Sequence, residues 1–167
     1  MLDDIFAGLD QDPSVSASPK SEARTFTAEP GRLTTAADAL AFICGGRATF
    51  TVRSTKTGTR FTFRVRLSDD KRMRFVSVLT GPDDYTYLGH VHIGRDIYFH
   101  GRKSRVTEDA PSNKAFAWVW RELVRDNMPP TLEVWHEGAC GRCGRRLTVP
   151  ESIASGFGPE CITRIGE

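Results

Sequence analysis

Between Cys140 and Cys161 the chain carries three of its four cysteines, with glycines at 138, 141 and 144 crowded around the first two. The Cys-x2-Cys spacing of Cys140 and Cys143 is that of a knuckle turning tightly on a metal ion. Cys161 supplies a third ligand. His136 is the expected fourth, giving His-x3-Cys-x2-Cys-x17-Cys, with His90, His92 and His100 as its competitors. These ligand types suit tetrahedral zinc, and four protein ligands would leave no position for a substrate water, so the expectation is one structural Zn2+. The alternative is free thiols or a disulfide. Size weighs against it: a segment of roughly 30 residues, with Ile153, Phe157 and Ile162 as its main apolar content, cannot fold on a hydrophobic core alone. Zinc contributes on the order of 10 kcal/mol to such modules.

The residues between the second and third cysteines fit a compact module. "TVPE" has the form of a capping box, with Thr148 at the cap, Pro150 in the first turn and Glu151 at the third position. It predicts a short helix through Ser152, Ile153 and Ala154, ended by Gly156. "GFGPEC" predicts a turn into a last helix whose first turn presents Cys161. The arrangement is treble-clef-like or zinc-ribbon-like. "CGRCGRRLTVPESIASGFGPEC" resembles the C-terminal module of an uncharacterised family of small proteins from bacteriophages and other mobile elements. Cys140, Cys143, Leu147, Thr148, Pro150, Ser152, Ile153, Gly156, Gly158, Pro159 and Cys161 match its pattern. "RATFTVRSTKTGTRFTFRV" and "KAFAWVWRELV" also resemble the segment that precedes the module in that family. The resemblance implies zinc and a phage or mobile-element origin; it implies no activity.

The rest of the chain reads as an arm followed by an α+β body. Residues 11–31 are rich in Ser, Pro and charge without apolar period, which predicts a flexible linker. In front of it Leu2, Ile5, Phe6 and Leu9 share one face at helical spacing, either a frayed terminus or an acidic amphipathic peptide for a partner's groove. A first helix is expected over 34–46, capped by Thr34 or Thr35, with Ala37, Leu40, Ala41 and Cys44 on its inner face and Gly45–Gly46 as its stop. A hairpin follows, its strands joined by "TKTG". Ala48, Phe50, Val52, Phe61, Phe63, Val65 and Leu67 alternate inward, and Arg47, Thr49, Thr51, Arg53, Arg60, Thr62, Arg64 and Arg66 outward. "MRFVSVLTG", "YTYLGHVHI" and "DIYFHG" extend the meander. A second helix is expected over 110–130, capped by Asp109 or Ser112, with Phe116, Val119, Trp120, Leu123 and Val124 as its stripe and Pro129–Pro130 as its end. "TLEVW" then leads as a strand into the cysteines. The expected fold is thus an antiparallel β-meander packed against one or two helices, with arm and linker at 1–31, body at 32–132 and zinc module at 133–167.

Charge narrows the function. The formal net charge of +2 divides into −4 over residues 1–30 and +6 over the remainder, and nine basic residues fall between Arg47 and Arg74 against Asp69 and Asp70. Arg47, Arg53, Lys56, Arg60, Arg64 and Arg66, extended by Arg142, Arg145 and Arg146 of the knuckle loop, form a candidate nucleic-acid surface. The outward face of an antiparallel sheet is commonly Thr, Arg and Lys in any case. The hairpin's own aromatics, Phe50, Phe61 and Phe63, point inward, so rings for base stacking would have to come from Tyr85, Tyr87, Trp118 or Trp135. A protein-interaction module that inhibits a host or defence complex, gripping through the arm and the zinc module, is the other binding reading. An enzyme is the least favoured: His90, His92 and His100 offer ligands for a metal-dependent hydrolase, but no GxSxG, P-loop, HExxH or paired-carboxylate motif is present. The N-terminus lacks the basic flank of an export signal, and cysteines in such a chain point to a reducing, cytoplasmic setting. Cys44, among apolar neighbours, reads as an inert buried thiol.

Overall fold

The computed structural model describes residues 31–165. Leu2, Ile5, Phe6 and Leu9, with most of the expected linker, lie outside them. Seven strands form one antiparallel sheet: β1 (Arg32–Leu33), β2 (Arg47–Ser54), β3 (Arg60–Leu67), β4 (Met73–Gly81), β5 (Asp84–His92), β6 (Tyr98–His100) and β7 (Leu132–His136), in the order β1-β7-β2-β3-β4-β5-β6. Helices α1 (Ala36–Ile43) and α2 (Pro111–Val124) cover one face, and two short helices, α3 (Pro150–Ser155) and α4 (Pro159–Ile162), follow the sheet. The α+β meander is therefore present, with an additional two-residue edge strand at Arg32. None of the helices among the described residues is long and apolar enough to cross a membrane.

The β2–β3 hairpin pairs Ala48 with Val65, Phe50 with Phe63 and Val52 with Phe61. Gly58, at φ +77, takes the left-handed position that its loop requires. Alternation then drives every second residue into the core: Ala48, Phe50, Val52, Phe63, Val65, Val76 and Val78 are buried. From α2, Phe116 meets the edge of Phe63 at 5.1 Å and Tyr98 at 4.8 Å. Burial of rings this size, at about 25 cal/mol per Å² of apolar surface, dominates the stability of the body.

The helices differ from expectation in face and caps. Thr35 caps α1, its Oγ1 accepting from the Asp38 N–H, but the buried residues are Ala36, Ala39, Phe42 and Ile43 rather than Ala37, Leu40, Ala41 and Cys44. The sequence offers two stripes, and the helix buries the one with the larger side chains. Helix α2 starts at Pro111 with Ala110 as an N-cap lacking a side-chain bond, so neither Asp109 nor Ser112 caps it, and Val124 is exposed. Proline at the first position needs no acceptor for its missing N–H, which reduces what a cap would satisfy. The helix stops at Arg125, and Asp126 takes a left-handed φ, four residues before Pro130. Helix α3 likewise begins at Pro150 behind Val149, so Thr148 does not cap it, while Gly156 ends it at φ +78 as expected.

Strand β7 is the joint of the molecule. It pairs with β2 through Phe50–His136 and Val52–Val134, and with β1 through Leu33–Val134. The expected boundary between residues 132 and 133 thus falls inside a strand of the sheet, and the appended segment begins after His136. Phe42 packs beneath that segment, 5.9 Å from the Phe157 ring and 5.4 Å from His136. A Cβ on Gly141 would lie 2.8–3.0 Å from Phe42, so knuckle and helix approach as closely as glycine permits.

Candidate metal centre and nucleic-acid interface

The knuckle is a miniature hairpin. Ala139 bridges Arg146, the Cys140 N–H donates to the Arg145 carbonyl and the Gly144 N–H to the Cys140 carbonyl. Gly144, at φ +77, makes the reversal. The turn faces Cys140 and Cys143 toward α4, where Pro159 opens the helix and Cys161 is its third residue. The sulfurs of Cys140, Cys143 and Cys161 all lie within 4.8 Å of one another. Tetrahedral zinc with Zn–S of about 2.3 Å places its sulfurs roughly 3.8 Å apart, so these three thiols fit the ion. The N–H groups of Arg142 and Gly158 each donate to Cys140 Sγ at 3.4 Å. Burial pushes the Cys140 thiol up, but these donors and the Cys143 N–H outweigh it and bring its pKa down to about 7. Cys161 is pushed up to about 11, by burial and then by hydrogen bonding to the other two sulfurs. Cys140 Sγ thus sits in a cradle of backbone N–H donors of the kind that favours a thiolate.

His136, the expected fourth ligand, stands outside this group. Gly138 N–H donates to its Nδ1 at 3.0 Å, which leaves Nε2 to donate to the Ile153 carbonyl at 2.5 Å. Both ring nitrogens are engaged, and the buried ring ties β7 to α3. The case for a closed four-ligand site rested on His136 and is not carried by this geometry. His90, His92 and His100 are not gathered around a metal position either. His90 and His92 touch as rings at 5.1 Å, while His100 Nε2 is bound to the Val106 carbonyl at 2.7 Å. Among the described residues, the cysteine trio is the group of His, Cys, Asp or Glu side chains able to hold a metal ion. Cys44 is half-buried at the end of α1, and burial raises its pKa.

The second candidate surface is the sheet face opposite the helices. Arg53 and Arg32 on this face are paired with Glu133, at 3.4 and 3.8 Å, and Glu137 accepts from Thr51 at 2.6 Å. Acid thus neutralises the β7 end. Further along, Arg64 and Arg66 have no such partner. Arg64 Nε and Arg66 Nη1 are shielded from solvent without a hydrogen-bond acceptor among the described residues. Burial, then the charges of Arg64 and Arg47, hold the Arg66 guanidinium below its usual pKa. Arg47 pairs with Arg66 across the hairpin and also lines a cleft of about 770 Å3 with Arg142, Lys71, Arg74, Arg164 and Cys143. Of the expected basic set, Arg47, Arg64, Arg66 and Arg142 are thereby connected. Arg60 and Arg53 sit at the far end of the hairpin with the Lys56 turn, and Arg146 lines a separate hollow beside His136. Trp118 is buried in the core.

Fold and site together define an α+β protein with a basic open sheet face and an appended three-thiol knuckle. Residues 131–166 match the model of a family of unknown function (DUF6011), a span that takes in β7 and the knuckle and leaves the other strands outside it. No curated protein and no solved structure matches the chain.

Proposed function

We propose that this protein is a non-enzymatic, nucleic-acid-associated binding protein in which Cys140, Cys143 and Cys161 supply three of the ligands of one structural zinc ion. The resemblance of its C-terminal module to proteins of bacteriophages and other mobile elements supports an origin of that kind. The observation that carries nucleic-acid association is the unsatisfied pair Arg64 and Arg66. Each of the two half-buried guanidinium groups keeps one N–H shielded from water without an acceptor, and with Arg47 beside them they favour an anion. A phosphate backbone supplies regularly spaced anions, and Arg takes phosphate in a planar, two-pronged geometry.

Binding of a labelled oligonucleotide to the zinc-loaded protein should fall steeply as salt rises. The double variant R64E/R66E should lower the slope of log K against log salt by about 1.4 for a single strand, at about 0.7 per phosphate contact. Absence of binding at low salt, or a slope untouched by the double variant, overturns the reading. Elemental analysis should find about one zinc per chain, and Cys143→Ser should remove it. Protein that is fully folded and free of metal overturns the zinc assignment.

A further inference from the structure

The open face of the sheet carries rings as well as charge, and a bulge in β5 gathers four of them there. In β4–β5 pairing, Val76 opposes Gly89 and Ser77 opposes Tyr87, so Leu88 is an extra residue on β5 and turns inward. Straight alternation would put Tyr85 and Tyr87 on one face and His90 and His92 on the other. The extra residue resets the parity and brings all four to the open face. Tyr87 Oη lies 3.2 Å from His90 Nδ1, and the Tyr85 ring lies 3.6 Å beneath the Arg64 guanidinium. Gly89 is required at this point, since a Cβ there would lie 2.3 Å from the Phe99 carbonyl oxygen.

Register then sets a continuous cross-strand row, Arg47–Arg66–Phe75–His90–Phe99, running from β2 to the sheet edge. Phe75 and Phe99 are 37% and 39% exposed, so both rings reach solvent, Phe75 from within the sheet and Phe99 from its edge strand. His90 stacks on Phe99 at 5.9 Å, and Tyr87 meets Phe75 edge-on at 6.3 Å. Beyond Phe99 the surface is concave, and Arg95, Arg102 and Lys103 line it with His90 and His92. Cations therefore flank the rings on both sides, while the acids Glu133 and Glu137 lie at the opposite, β7 end.

We infer that this row is a platform for single-stranded nucleic acid, with unpaired bases stacking on Phe75, Phe99 and the Tyr87–His90 pair while Arg47, Arg64 and Arg66 hold the backbone. The inference rests on the nucleic-acid reading above and narrows it to a substrate class. Flat exposed rings offer nothing to a duplex, whose bases are already stacked, whereas every unpaired base has a face to lay on them. Charge complementarity identifies the occupant: a purely apolar partner would leave the flanking arginines and Lys103 uncompensated.

The test is a comparison of oligo(dT), oligo(U) and a hairpin duplex of equal charge, each labelled and titrated with the full-length, zinc-loaded protein. The two single strands separate a DNA ligand from an RNA ligand. Expected is tighter binding of at least one single strand than of the duplex. F75A/F99A should weaken that single strand by about tenfold or more per ring, and duplex binding should stay unchanged. F75Y/F99Y, which keeps the rings, should restore the affinity and guards against a folding artefact. Equal affinity for single strand and duplex, or single-strand affinity unmoved by F75A/F99A, overturns the platform while the nucleic-acid reading stands. No binding to any of the three overturns both.

Discussion

The sheet body and the segment that follows β7 hold themselves together by different means. In the body, Phe42, Phe50, Phe63, Phe116, Leu88 and Val65 are among more than a dozen side chains closed off from solvent. After His136, the chain contributes Cys140, Leu147 and Phe157 to the same core, and leaves Val149, Ile162 and Ile165 exposed. Its two helices have six and four residues, well below the length at which a helix is stable by itself. What it has instead is three sulfurs in one place and a set of backbone donors aimed at one of them. One region is held by burial, and the other is proposed to be held by a zinc site, although the two share a joint at Phe42.

The strongest way to break this contrast is to remove the proposed zinc. Chelation or Cys143→Ser should cost on the order of 10 kcal/mol, nearly all of it from the segment 137–165. Hydrogen exchange should then reach solvent-like rates there and stay slow in β2–β5. Slow exchange in the metal-free segment would mean that burial alone suffices. Phe63→Ala attacks the other side. Its ring touches Phe50 and Phe116, and its loss should cost about 3–5 kcal/mol in denaturant unfolding. Zinc content per folded chain should not change. A smaller effect separates ligand from strut: His136→Ala should cost about 1–3 kcal/mol, because it leaves the Ile153 carbonyl and the Gly138 N–H unpaired. One zinc per chain should remain; loss of the metal would restore His136 as a ligand.

The legible and illegible parts of the molecule divide along physical lines. Period-two alternation carried the middle of β2 and β3, where a residue that must face the core cannot shift by one position, while Phe61 and Leu67 at the ends of β3 stay half-buried. Cys140, Cys143 and Cys161 were legible from spacing and glycines. His136 was not, since spacing says nothing of which way a ring at a strand end turns; the pull of Phe42 and the Ile153 carbonyl decides that. The open-face rings were hidden for a sharper reason. A single extra residue, Leu88, reverses the parity of β5, and the alternation rule misassigns either Tyr87 or His90 until the bulge is known. The buried stripe of α1 was lost to a near tie, and β1 is too short to show a period.

The smallest expected effect bears on the joint itself. Thr35 caps α1 through a 3.1 Å bond to the Asp38 N–H, and Thr35→Ala should cost about 1 kcal/mol. The loss frays the first turn of an eight-residue helix, while Phe42 sits in its last turn against Gly141 and Gly156. Body stability should therefore fall slightly in denaturant unfolding, and zinc affinity should not move. A parallel drop in zinc affinity would show that α1 transmits strain along its full length into the knuckle. In that case the burial-folded body and the site-folded segment would be one cooperative unit, coupled through Phe42.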